Sequence, residues 1–170
     1  MTTAYACYEE DGGRATVTFA RELAQAPDRV WQALTDARAL EHWFPAVIEG
    51  DLRPGGAVRF VFADPDASDS AGEITEFEVG SRLTFTWGKD ILRSELEPTP
   101  GGTRLHFTQL LARPDHAARD AAGWHVCLDR LTAHLAGDET TAPPTEPTPE
   151  WQALHDAYAQ RGFPAGAEPA

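Results

Sequence analysis

The sequence predicts an α+β fold: a seven-stranded antiparallel sheet wrapped around one long C-terminal helix, with two short helices after the first strand. Three observations predict it. Between Val47 and Leu111 short alternating segments are separated by turn signals too brief for crossover connections, so neighbouring strands run antiparallel. From Asp115 to Gly137 the apolar residues instead recur every three or four positions, the period of an amphipathic helix. The strands have one greasy face, and no other element is large enough to cover it.

Taken in order, Met1 to Gly13 reads as an irregular or short extended lead-in ending in Asp11-Gly12-Gly13. Ala15 to Arg21 is the first strand, with Ala15, Val17 and Phe19 alternating against Thr16, Thr18 and Ala20. Pro27 supplies a first helical residue, Asp28 suits a helix N-terminus, and Val30, Trp31 and Leu34 mark a short amphipathic helix. Asp36 can cap a second helix, which carries Leu40 and ends at Trp43-Phe44 because Pro45 follows.

Six further strands follow: Val47 to Leu52, Ala57 to Phe62, Gly72 to Val79, Arg82 to Trp87, Ile91 to Glu97 and Thr103 to Leu111. Their separators are Pro54-Gly55-Gly56, a polar loop from Asp64 to Ser70, Gly80-Ser81, Gly88-Lys89-Asp90 and Pro98 to Gly102. Leu83, Phe85, Trp87, Leu105 and Phe107 belong to the greasy face, whereas Thr84, Thr86, Arg104 and His106 point the other way. One strand is mixed. Ile74 shares a face with Glu76 and Glu78, and Phe77 shares the other with Glu73, so either a carboxylate faces the interior or this is a bulged or edge strand with both glutamates solvated.

In the long helix Asp115 is the expected cap, with His134 in the last turn and Gly137 as the left-handed stop. Ala117, Ala121, Trp124, Leu128, Leu131 and Leu135 share its inner face, with Cys127 at the edge as a small core residue. Gly123, interior to the helix, suggests close approach by another element. His116 with Asp120, and His125 with Asp129, read as i,i+4 ion pairs on the surface. Residues 1–137 thus form the domain, 138–149 a Pro/Thr-rich linker, and 150–170 a short helix and loose tail. Trp151, Leu154 and Tyr158 fall on one stripe, so that helix is expected to dock back on the domain or on a second copy in a homodimer.

A formal net charge of −13 repels phosphate backbones and anionic lipid surfaces, which argues against nucleic-acid and membrane partners. Two distant cysteines, with neither a secretory leader nor a membrane-length apolar run, suggest a reduced, cytoplasmic protein, and the Ala, Arg, Gly and Pro usage suggests a bacterial one. There is no Gly-x-Ser-x-Gly, P-loop or dinucleotide fingerprint, and His125-x-Cys127 is too few ligands for zinc, so neither cofactor nor metal is expected. Candidates for acid-base chemistry reduce to Glu73, Glu76 and His106.

The aromatic set is the strongest hint of function. Trp43, Phe44, Phe60, Phe62, Trp87, Phe107 and Trp124, with Leu128, exceed what a thin core needs and are the expected walls of a pocket for a small hydrophobic or amphipathic molecule.

Several segments also resemble the SRPBCC superfamily, the helix-grip fold of START and pollen-allergen-like domains, in its branch of heat-shock-protein-90 ATPase activator homologues (AHSA). The likeness is carried by Val30 to Asp36, Leu40-Glu41-His42-Trp43-Phe44, Asp51 to Gly56, Gly72-Glu73-Ile74, Arg82 to Trp87, Gly102 to Leu105, Gly123-Trp124 and Leu128 to Leu131. Together these span Arg14 to Leu135. The resemblance implies a cavity between helix and sheet that holds a lipid, polyketide or aromatic metabolite. It also implies two alternatives: a cyclase- or hydrolase-type enzyme using a cavity carboxylate, and a co-chaperone-like interaction module. The eukaryotic co-chaperones of this branch carry an additional N-terminal domain for which this chain is too short.

Overall fold

A computed structural model describes residues 4–62, 70–141, 143–144 and 147–166. Eight strands form one antiparallel sheet, where seven were expected. The additional strand, β1 (Cys7–Asp11), lies within the stretch read as a lead-in and pairs along β2 (Arg14–Leu23), with Cys7 opposite Thr18. Its residues are almost all exposed, so it lacks the apolar alternation by which sequence reveals a strand. β2 alternates as its sequence demands, with Ala15, Val17, Phe19, Arg21 and Leu23 all pointing inward.

Helix α1 (Pro27–Thr35) starts on its proline, and α2 (Ala37–Leu40) starts on Asp36, whose carboxylate accepts from the Arg38 and Ala39 N–H groups. The chain then lays down β3 (Val47–Gly50), β4 (Ala57–Val61), β5 (Ser70–Glu78), β6 (Arg82–Trp87), β7 (Asp90–Thr99) and β8 (Gly102–Leu111). The sheet order β1-β2-β8-β7-β6-β5-β4-β3 sets the first strands beside the last and leaves β1 and β3 as the two edges. The polar loop expected from Asp64 onward lies outside the described residues, apart from Ser70, which opens β5.

Strand β5 resolves its mixed pattern with a bulge. Ile74 pairs with Phe85 and Glu76 with Thr84, leaving Thr75 as the extra residue. Ile74 and Phe77 therefore both face the core, and Glu76 faces out.

The long helix begins later than its sequence suggested. Pro114–His116 is a 3-10 turn, and α3 runs from Ala117 to Leu135. Asp115 caps nothing, because its carboxylate is held by Arg113 at 2.7 Å. The Ala118 N–H instead donates to the Pro164 carbonyl at 2.9 Å. Within the stretch from Gly162 to Ala170 that was expected to be loose, Pro164 thus completes the start of α3 and Phe163 is buried beside it, while residues 167–170 lie outside the described residues. Gly137, at φ +89°, ends the helix as its sequence indicates.

Helix α4 (Pro149–Gln160) is capped by the Thr148 hydroxyl and packs along α3. Tyr158 is fully buried; its hydroxyl accepts from the Ala6 N–H at 3.0 Å and lies 2.7 Å from His125 Nδ1. His125, read as a surface residue, is only 2% exposed, because α4 covers the face of α3 that the helix alone would leave open. Asp129 is likewise no simple partner of His125: it binds Arg21 at 2.7 Å. Among the described residues no helix is long and apolar enough to cross a membrane.

Candidate functional site

The interior between α3 and the sheet is divided. Its middle is filled by aromatic rings from four elements and from the segment after α2. Phe60 on β4 stacks on Trp87 of β6 with centroids 4.5 Å apart, and Phe107 of β8 meets Trp124 of α3 at 4.9 Å. Phe44, just past α2, closes the group against Trp87 at 5.5 Å and Trp124 at 5.6 Å. Ring pairs at these separations and tilts are favourable packing beyond their buried area. Trp43 lies in the helical cover, its indole N–H donating to the Ala33 carbonyl at 2.9 Å, and Leu128 is fully buried. Of the eight expected pocket residues, Trp43, Phe44, Phe60, Phe107 and Leu128 are therefore packing.

At one end of this wedge a cavity of about 430 Å³ opens, and the other three residues border it: Phe62, Trp87 and Trp124. Helix α3 adds Gly123 and Cys127, and α4 adds Trp151. Of the segment after Gly137, read as a linker, the described residues Pro143, Pro144, Pro147 and Thr148 line the mouth as a strap. The strap is anchored before the mouth, where the Thr140 carbonyl lies 2.9 Å from His42 Nδ1 and Arg130 donates to the Thr141 carbonyl at 2.8 Å. Burial pushes the Cys127 thiol up to about 12, so it is a protonated wall atom and no nucleophile.

Polar groups gather on one side of this cavity, and none of them was picked out from the sequence as a site residue. Gln109 of β8 donates from Nε2 to Asp90 Oδ2 at 2.9 Å and to Asp120 Oδ2 at 3.0 Å. Asp90 also accepts from the Ala112 N–H at 2.8 Å, and Asp120 from Arg119 Nε at 2.8 Å. Both Nε2 bonds go to carboxylates, so the amide orientation is settled and Oε1 is the free end. Oε1 is buried and has no partner among the described residues, an omission that costs about 1–3 kcal/mol in a folded protein. A signal for Gln109 did exist: it follows Thr103, Leu105 and Phe107 on the inward face of β8, where the next residue in step is Leu111. Asp90 looked like a turn residue and Asp120 like the partner of His116. Instead, Arg119 stands between them, bound to Asp120 Oδ1 and 2.9 Å from His116 Nδ1.

The three acid-base candidates lie outside the cavity. Glu73 is exposed, and His106 stands on the outer face of β8, 3.5 Å from Glu97. Glu76 accepts from the Thr84 hydroxyl at 2.6 Å, and that bond, with the charges of Arg93 and Arg82, holds its carboxyl below the usual range. A proton donor at neutral pH needs the opposite shift. Among the described residues no three His, Cys, Asp or Glu side chains converge as a metal site.

A curved antiparallel sheet gripping a long C-terminal helix, with a cavity between them, defines a protein of the SRPBCC helix-grip class. Within it, the chain belongs to the family described as activator of Hsp90 ATPase homolog 1-like protein, whose profile matches residues 24–136. Solved structures agree on the fold. A conserved protein of unknown function from Enterococcus faecalis is 24% identical, with a TM-score of 0.74 over 94% of this chain and 91% of its own. CalU16 from Micromonospora echinospora is 21% identical, with a TM-score of 0.71 over 95% and 94%. A Rhodobacter sphaeroides protein is 25% identical, with a TM-score of 0.62 over 79% of this chain and 99% of its own. No curated protein matches the sequence.

Proposed function

We propose that this protein binds a small amphipathic molecule in the cavity bounded by α3, the sheet, the strap and α4. One observation carries the proposal: about 430 Å³ of space with aromatic walls and a cluster of fixed polar groups on one side. That combination suits a ligand with an apolar body and a polar end. Membership of a family with this fold is compatible with the reading and does not choose the ligand.

Native mass spectrometry of freshly purified protein tests it by detecting a retained molecule. Titration with lipids and aromatic polyketides, read by tryptophan emission, is the second arm, because Trp87, Trp124 and Trp151 all border the space. A retained mass, or a saturable change in emission, is the expected result. Bare protein in the spectrometer together with flat titrations would overturn the proposal.

The two cavity carboxylates favour one second reading, a cyclase- or hydrolase-type enzyme working on the bound molecule. It predicts product formation from the retained molecule that Asp120→Asn abolishes while binding persists. Unaltered substrate after prolonged incubation would leave binding alone.

A further inference from the structure

We propose that the cavity selects a cationic amphiphile, an aromatic body carrying a protonated amine, with the ammonium group seated beside Gln109, Asp90 and Asp120; this deepens the binding function proposed above and rests on it. The inference follows from the hydrogen-bonding capacity left unused at that side. Asp90 and Asp120 each accept two bonds from the described residues, and a carboxylate can accept about four. Gln109 lines the cavity and is 5% exposed, and its Oε1 accepts nothing among the described residues. Each of these three side chains is short of donors.

Charge points the same way. Two carboxylates and the single guanidinium of Arg119 leave this side with a formal charge of −1, inside a molecule whose net charge is −13. The Arg119 charge is already paired with the Asp120 carboxylate, so an anion seated here would still meet Asp90. A ligand carboxylate would meet two like charges, and a ligand hydroxyl brings one donor. An ammonium brings three donors and the opposite charge. The walls suit the same cation, since Trp87, Trp124 and Trp151 present indole rings, the aromatic groups that hold cations best.

Three probes of one shape separate the possibilities on the full chain at pH 7: 2-(1-naphthyl)ethylamine, 2-(1-naphthyl)ethanol and 1-naphthylacetate, titrated calorimetrically. The amine should bind at least about tenfold tighter than the alcohol, the advantage expected of a charge-assisted bond over a neutral one, and the acid should bind weakest. In Asp120→Asn the amine's advantage should shrink to roughly threefold or less, with circular dichroism reporting that the fold is kept. Asp90→Asn carries the same test if the first variant does not fold. An alcohol that matches the amine, or an acid that exceeds it, overturns the preference while leaving a binding cavity. If none of the three binds, the ammonium proposal fails, and the retained-molecule measurement separately decides whether the cavity binds anything.

Discussion

Trp124 shows most directly how one side chain can serve both packing and a site. It is 8% exposed, meets Phe44, Trp87 and Phe107, and turns its remaining surface to the cavity. Removing it would unpack the aromatic wedge on one side and enlarge an existing space on the other. Because part of the indole already borders empty volume, the loss belongs near the lower end of the range for large aromatic deletions. Trp124→Ala is expected to cost ~3 kcal/mol, measured by urea unfolding, and to weaken any ligand that quenches tryptophan emission. A cost below ~1 kcal/mol would mean that the wedge does not depend on this residue.

At the scale of elements, Gly123 has acquired a different meaning from the one its sequence suggested. An interior helical glycine implied close approach, yet a methyl built there would meet only Trp151 Nε1, at 3.9 Å. That is ordinary contact. Gly123→Ala should therefore stabilise α3 by ~0.5–1 kcal/mol, seen as a higher denaturation midpoint, while taking a small volume from the cavity. A lower midpoint would show that the α3–α4 contact tolerates no added methyl. The same comparison explains what was legible in the sequence. Pro27 and Asp36 state where α1 and α2 begin because their effects are local, whereas α2 ends at Leu40, short of the Trp43-Phe44 limit that Pro45 suggested. The wedge aromatics announced burial, but alternation cannot say which rings touch one another and which border a void, so five of the eight expected wall residues proved to be packing. The bulge at Thr75 was one of two open readings of β5, since a single inserted residue exchanges the faces beyond it. The polar side of the cavity was hidden for another reason: Asp90, Gln109 and Asp120 meet only through tertiary structure, from a turn, a strand and a helix.

For the whole molecule, the decisive feature is that Tyr5 and Ala6, just before β1, and Tyr158 of α4, which flank the family-matched residues 24–136, converge on one buried histidine within them. The Asp129 carboxylate, 3.7 Å from His125 Nε2, favours the tautomer with the ring hydrogen there, and in that tautomer Nδ1 accepts from the Tyr158 hydroxyl, which itself accepts from the Ala6 N–H. Asp129 in turn binds Arg21 of β2. Edge contacts with the rings of Tyr5 and Phe19 shield the imidazole further. Burial lowers the His125 pKa to about 4; the Asp129 carboxylate opposes that shift, and the Arg21 guanidinium adds to it. In the unfolded chain the same group titrates near ~6.5. Between these values the unfolded state takes up a proton that the folded state refuses, so stability is fully present above pH ~6.5 and declines as pH falls toward about 4. The loss attributable to His125 is on the order of 3 kcal/mol at most. Urea midpoints measured stepwise from pH ~7.5 to ~4.5 should therefore fall, and the fall should be markedly smaller in His125→Gln, whose amide oxygen can still accept from Tyr158. Parallel profiles for the two proteins would assign the pH dependence to surface carboxylates and remove His125 as the lock that joins both ends of the chain to α3.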